Sequence, residues 1–232
     1  MRDAANPVDL NIPAQFVEQA AAVDDPPVIA VVDTGVDYTN PALAPSMVDL
    51  SQYPSLMEDT GCGKYGIDAT AAADDPAFAN PMDLNQHGTH VAGIIAANGD
   101  VEGVNPHARI VGVRVTLPDP GSTTGESVYT SGIVRGLGWM VEAKRDYGVN
   151  IEGFNLSIAG PTGVTYAARA AFKLAEENGI VGFVAAGNFA ANVDESENLL
   201  SAVQQGSTVV VDSADTTGDT SRFSNYGKIN TD

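Results

Sequence analysis

The sequence is poor in cysteine, in basic residues and in long apolar runs, and each scarcity excludes a class of protein. Cys62 is the only cysteine among 232 residues, which excludes a framework of intramolecular disulfides. Only 11 basic side chains stand against 30 acidic ones, and the net charge of −19 would repel nucleic acid or an anionic membrane. No run approaches the roughly 18 apolar residues of a membrane span, and the N-terminus lacks a signal-peptide core. We therefore expect no nucleic-acid or membrane partner, in a protein that is either intracellular or secreted with its leader removed.

Apolar residues make up 44% of the chain, enough for one sizeable core. Their patterning predicts buried strands that alternate with helices, after a short helix over 13–22. The predicted strands cover residues 27–33, 109–115, 154–157, 180–186 and 207–213, and the predicted helices begin near 87, 128 and 164. Residues 36–86 are rich in turns and predict an irregular surface excursion with one strand near Val48. This alternation predicts an α/β fold, a mostly parallel sheet with helices on both faces.

Such a sheet places its functional groups at the carboxyl ends of its strands, which here carry Asp33, Ser157 and the turn after Ala186. Asp33 ends the first strand, His87 opens a helix rich in small residues, and Asn188 follows the strand 180–186. Each residue alone is also typical of an ordinary turn or cap. Asp-Thr-Gly occurs in aspartic peptidases as well, but those need two such loops. His87 and His90 have the spacing of a metal pair, although no third ligand follows on that helix.

The segments around these residues carry a family resemblance. DTGVDYTNPAL from Asp33, HGTHVAGIIAA from His87, NLSIAGP from Asn155, AAGN ending at Asn188 and SRFSNYG from Ser221 resemble, in order and spacing, the subtilisin-like serine proteases (peptidase family S8). The resemblance implies a subtilisin-like fold. It divides the chain into an N-terminal extension, residues 1–25, and an incomplete catalytic domain, residues 26–232.

The resemblance also implies roles for individual residues. Asp33 would orient the imidazole of His87, and His87 would take a proton from a serine hydroxyl and return it to the leaving amine. Asn188 would donate to the oxyanion of the tetrahedral intermediate. A substrate-binding strand would consist of Ser157, Ile158, Ala159 and Gly160, with Ala159 in place of a usual glycine. The implied activity is endopeptidase hydrolysis of polypeptide substrates.

The nucleophile of the family is the feature that this sequence lacks. It lies in a Gly-Thr-Ser segment that opens a helix, and no such segment occurs among residues 1–232. Ser221 lies in a polar turn setting and is not an equivalent. We expect the chain to stop before the C-terminal part of the fold, to be inactive alone, and to receive the serine from a downstream segment or a complementary chain. The alternative is a catalytically inactive relative that binds peptides or serves as a scaffold.

The chemistry implied by the resemblance requires no cofactor. Two acidic stretches, residues 68–75 and 194–197, are nevertheless rich in the oxygen ligands that calcium prefers, so structural calcium is a second hypothesis beside an ordinary solvated surface. The loop 98–102 is shorter than the calcium-binding loop of well-known family members, and that site is not transferred to this chain.

Overall fold

A parallel sheet forms the centre of the molecule. The computed structural model describes residues 18–19, 22–122, 124–159, 165–195 and 206–227. Six strands pair in the order β2-β3-β1-β6-β7-β8, and every pairing in this sheet is parallel. The strands are β1 (Val28–Asp33), β2 (Gly66–Asp68), β3 (Arg109–Arg114), β6 (Ile151–Leu156), β7 (Val181–Ala185) and β8 (Thr208–Val211). A separate antiparallel ribbon pairs β4 (Thr116–Pro118) with β5 (Glu126–Val128).

Helices cover both faces of the sheet, as the sequence predicts. They are α1 (Pro54–Thr60), α2 (His87–Ala96), α3 (Thr130–Tyr147) and α4 (Tyr166–Glu177). Successive residues of β1 serve opposite faces: Val31 joins the apolar cluster that contains the buried alanines of α2, whereas Val32 joins the larger cluster beneath α3 and α4. This alternation is expected of a strand buried on both faces. None of the described helices is both long and apolar enough to cross a bilayer.

The prediction of an irregular excursion over residues 36–86 is wrong in part. This region contains α1, β2 and three short 3-10 helices, and it contributes Leu50, Leu56 and Ile67 to the main core. The prolines there begin helical turns instead of merely breaking structure, since Pro54 is an early residue of α1. The strand expected near Val48 is reduced to a single bridge between Met47 and Ile110. Most of the helix predicted over 13–22 lies outside the described residues.

The direction of strand order reverses at β1. The chain adds β3 and β2 on one side of β1, and β6, β7 and β8 on the other. Because all these strands are parallel, their carboxyl ends meet at one edge, and a crevice forms there beside β1. Asp33, the last residue of β1, is therefore located at the position where an open α/β sheet binds its ligands.

Candidate active site

The first two predicted site residues are in direct contact. His87 Nδ1 lies 2.7 Å from Asp33 Oδ1, although 53 residues separate them in the chain. Asp33 is fully buried, whereas 52% of the His87 side chain is exposed. The buried carboxylate also accepts from its neighbour, since the Thr34 backbone N–H donates to Oδ1 over 2.7 Å. The imidazole is thus held by one nitrogen, and about half of the side chain is open to solvent at the cavity.

The close approach of α2 to β1 depends on glycine. A Cβ on Gly88 would lie 2.1 Å from the Gly35 carbonyl oxygen and 3.0 Å from Asp33 Cβ. Without that Cβ, the Gly88 backbone N–H donates to Thr34 Oγ1 over 2.9 Å and ties the helix start to the end of the strand. The small residues that follow His87 therefore set the distance at which its ring meets Asp33.

Asp83, which the sequence analysis did not single out, organises the backbone before His87. Its Oδ1 accepts from Thr34 Oγ1 at 2.8 Å and from the backbone N–H groups of Asn85 and Gln86 at 2.9 and 3.0 Å. Its Oδ2 accepts from the Thr89 backbone N–H at 2.9 Å and from the Thr89 hydroxyl. Gln86 has a φ of 87°, the left-handed region that non-glycine residues rarely adopt. These bonds hold that turn and orient the first residues of α2.

The electrostatics of this cluster favour a more basic His87. The hydrogen bond to Asp33 is the main cause that raises the pKa of His87; burial opposes it, and the charges of Asp33 and Asp83 add to it. For Asp83 itself, burial alone would raise the pKa, but hydrogen bonds from Thr89, Asn85 and Gln86 outweigh that effect and lower it. Asp83 is accordingly an ionised carboxylate at neutral pH that supports a protonated ring nearby.

The turn that bears Asn188 is held by Asn225, a residue that the sequence does not predict to belong to the site. Asn225 is completely buried. Its Oδ1 accepts from the backbone N–H groups of Phe189 and Ala191 at 2.9 and 3.0 Å, and its Nδ2 donates to the Ala186 carbonyl over 2.8 Å. Asn188 stays exposed on this turn. Asn225 lies within the family-like segment SRFSNYG, but nothing in its sequence surroundings marks it as the residue that holds this turn.

All described members of the predicted site line one cavity of about 640 Å³ at the carboxyl edge of the sheet. They are Asp33, His87, Asn188, Ser157, Ile158 and Ala159. The last three residues follow β6 directly, and Gly160 lies outside the described residues. Three serines also line the cavity: Ser122, Ser127 and Ser157. Within the described part of the chain, the hydrogen bond found for the His87 ring is the one to Asp33 and involves no serine.

Metal ligands do not converge within the part of the chain that the structure describes. No group of three or more histidine, cysteine, aspartate or glutamate residues is placed to hold an ion there. In the first acidic stretch, Asp68 pairs with Arg114 at 3.3 Å and accepts from Thr70, and Asp75 accepts from the Ala77 backbone. The second stretch is described only as far as residue 195. Calcium binding stays a prediction for both.

The fold and the site together define a class: an α/β protein with a buried aspartate and a histidine paired at the rim of a cleft. Residues 24–231 match the Subtilase family, Peptidase_S8, and the chain belongs to that family. It is 31% identical over 203 residues to the major intracellular serine protease of Bacillus subtilis (strain 168), and 32% identical over 183 residues to fervidolysin of Fervidobacterium pennivorans. The subtilisin-like fold is confirmed by a cold-adapted subtilisin-like serine proteinase, which superposes with a TM-score of 0.61 at 30% identity.

These similarities cover most of this chain but only part of each relative. The alignment with the B. subtilis protease includes 86% of this chain and 54% of that protein, and the one with fervidolysin 77% and 22%. The structural match covers 87% of this chain and 59% of the other. The chain therefore spans about half the length of the B. subtilis protease and a smaller part of fervidolysin.

Proposed function

We propose that this cleft hydrolyses peptide bonds within polypeptides, with Asp33 and His87 as two members of an Asp-His-Ser triad. The observation that carries the proposal is the 2.7 Å contact between His87 Nδ1 and the buried Asp33 carboxylate. A carboxylate bonded to Nδ1 keeps the neutral ring protonated on that nitrogen and leaves Nε2 free to accept a hydroxyl proton. The same carboxylate stabilises the imidazolium that forms in the transition state.

Asn188 supplies the third part of the proposed chemistry. It lies exposed on the cavity wall while Asn225 fixes the backbone on both sides of it. An amide donor on a fixed turn is suited to bind the oxyanion of a tetrahedral intermediate. In subtilisin, removal of one such donor lowers the turnover number by about 10²–10³-fold.

Ser157, Ile158 and Ala159 extend from β6 along the cavity, so a peptide can lie beside them in extended form. No cofactor is needed for this chemistry, because the proton moves between side chains and substrate. The proposed nucleophile is a serine on a segment that is not among residues 1–232, either downstream or on a complementary chain.

The test is a fluorophosphonate probe applied to the product of the complete gene, with the labelled residue identified by mass spectrometry. We expect label on a serine in a Gly-Thr-Ser segment, hydrolysis of casein, and loss of both in His87→Ala. Residues 1–232 expressed alone are expected to take up no label. A label on Ser122, Ser127 or Ser157 would overturn the assignment of the nucleophile. Peptide binding with neither label nor hydrolysis would favour the alternative, an inactive peptide-binding relative.

A further inference from the structure

The β4–β5 ribbon forms a polar wall of the cleft that the proposed chemistry does not use. Its register pairs Thr116 with Val128 and Pro118 with Glu126. Directly opposed residues of an antiparallel pair share a face, as do residues two apart on one strand. Thr116 and Glu126 therefore lie on the same face of the ribbon, and both line the cavity.

Side-chain oxygens on this face lack hydrogen-bond partners within the described structure. Thr116 is 2% exposed, and its hydroxyl oxygen has no partner there. One carboxylate oxygen of Glu126, Oε2, is also shielded from solvent without a partner, as is Asp33 Oδ2 in the same cavity. By contrast, Asp119 on the loop between the two strands accepts from the Ser127 hydroxyl. Buried oxygens without donors are costly, and a ligand that supplies donors relieves that cost.

The charge of the cleft points to the kind of donor. Two carboxylates, Asp33 and Glu126, line the cavity, and among the described lining residues no lysine or arginine balances them. Asp33 already holds His87, so the Glu126 carboxylate is the one that has no cationic neighbour in the cleft. The net charge of −19 adds a long-range attraction for cations.

We propose that Glu126, supported by Thr116, forms a subsite for a cationic side chain, lysine or arginine, of the polypeptide substrate. The inference rests on the proposed function, since it names the substrate class of the same cleft. An ammonium or guanidinium group brings several N–H donors and a positive charge to a partly desolvated carboxylate, where a charge-assisted hydrogen bond is stronger than on open surface. Glu126 thereby determines specificity and takes no part in the proton transfer.

The experiment compares matched fluorescent peptides that carry lysine, norleucine or glutamate at one position, with that position moved along an otherwise constant sequence. Binding to the protein is measured by fluorescence anisotropy for wild type, Glu126→Gln and Glu126→Lys. Glu58→Gln is the matched control, because it removes the same charge from the exposed surface of α1. Melting temperatures of all variants verify that each is folded.

At one peptide position we expect wild type and Glu58→Gln to bind the lysine peptide about tenfold or more tightly than the norleucine peptide. Glu126→Gln should abolish that preference, and Glu126→Lys should reverse it toward a glutamate peptide. Equal affinities in wild type, or an unchanged preference in Glu126→Gln, would overturn the subsite while leaving the proposed function intact. Failure of wild type to bind or cleave any peptide of the set would overturn the proposed function, and the subsite with it.

Discussion

The substitution Gly88→Ala tests whether the close packing of α2 against the end of β1 sets the distance between His87 and Asp33. In Gly88→Ala, the new Cβ would lie 2.1 Å from the Gly35 carbonyl oxygen, whereas Cβ contacts below 3.0 Å are essentially never observed. The helix and the Gly35 backbone must therefore move apart by about 0.9 Å or more. The hydrogen bond between His87 and Asp33 is 2.7 Å long. A contact of about 3.6 Å is no longer a hydrogen bond, so a movement of this size is enough to break it.

Gly93→Ala is the matched control, since it lies on the same helix and its Cβ would meet nothing within 4 Å. Both substitutions add a helix-favouring alanine, so their difference isolates the clash. From the usual cost of overpacking, we expect Gly88→Ala to be about 2–3 kcal/mol less stable than Gly93→Ala in urea unfolding. The pKa of His87, followed by NMR, should fall only in Gly88→Ala. Equal stability of the two variants, with the same His87 titration, would refute this account of the helix contact.

Three further predictions concern the supports of the site. Asp83→Asn should lower the free energy of unfolding by about 1–3 kcal/mol at neutral pH, because it weakens a charge-assisted hydrogen-bond network. The pKa of Asp83 is lowered in the folded state, so this destabilisation should shrink as pH falls through that pKa. A destabilisation that does not change with pH in unfolding experiments would contradict the prediction. Asn225→Leu should destabilise the protein by about 3 kcal/mol or more and loosen the turn of Asn188, because two backbone N–H groups and one carbonyl lose their partner; an unchanged free energy of unfolding would contradict this role. Calcium, if it binds the acidic stretches 68–75 or 194–197, should raise the melting temperature and a chelator should lower it; no shift would remove the hypothesis.

The parts of the fold that the sequence predicts are those with strong apolar patterning. The strands β1, β7 and β8 and the interior of β3 are apolar runs, whereas β6 is interrupted by Glu152 and Asn155; the bounds of all five differ from prediction by only a few residues. The sequence does not predict the β4–β5 ribbon, because each of its strands has only 3 residues and mixes polar with apolar side chains without alternation. Its importance comes from the cavity wall that it forms, which only the folded chain determines.

The candidate site divides in the same way. Asp33 and His87 are each typical of an ordinary turn or cap when taken alone, and it is their order and spacing with Asn188, within motifs that resemble one family, that predicts the site. Asp83 and Asn225 resemble ordinary turn residues in the sequence, because their importance depends on backbone groups that tertiary packing brings to them. Glu126 is marked only by the lack of a donor for one of its oxygens in the described structure.

The proposed chemistry depends most on the pairing of Asp33 with His87, in which the carboxylate orients the ring and increases its basicity. The most direct test is an NMR titration of the His87 ring nitrogens in wild type and in Asp33→Asn. In wild type we expect a pKa above the ordinary 6.5 and a neutral ring protonated on Nδ1; Asp33→Asn should lower that pKa, because the hydrogen bond to the carboxylate is its main cause. The stability gained from the pair should be present below pH 6.5 and lost as pH rises through the raised pKa. An unchanged His87 pKa in Asp33→Asn, with the neutral proton on Nε2 in wild type, would contradict the account.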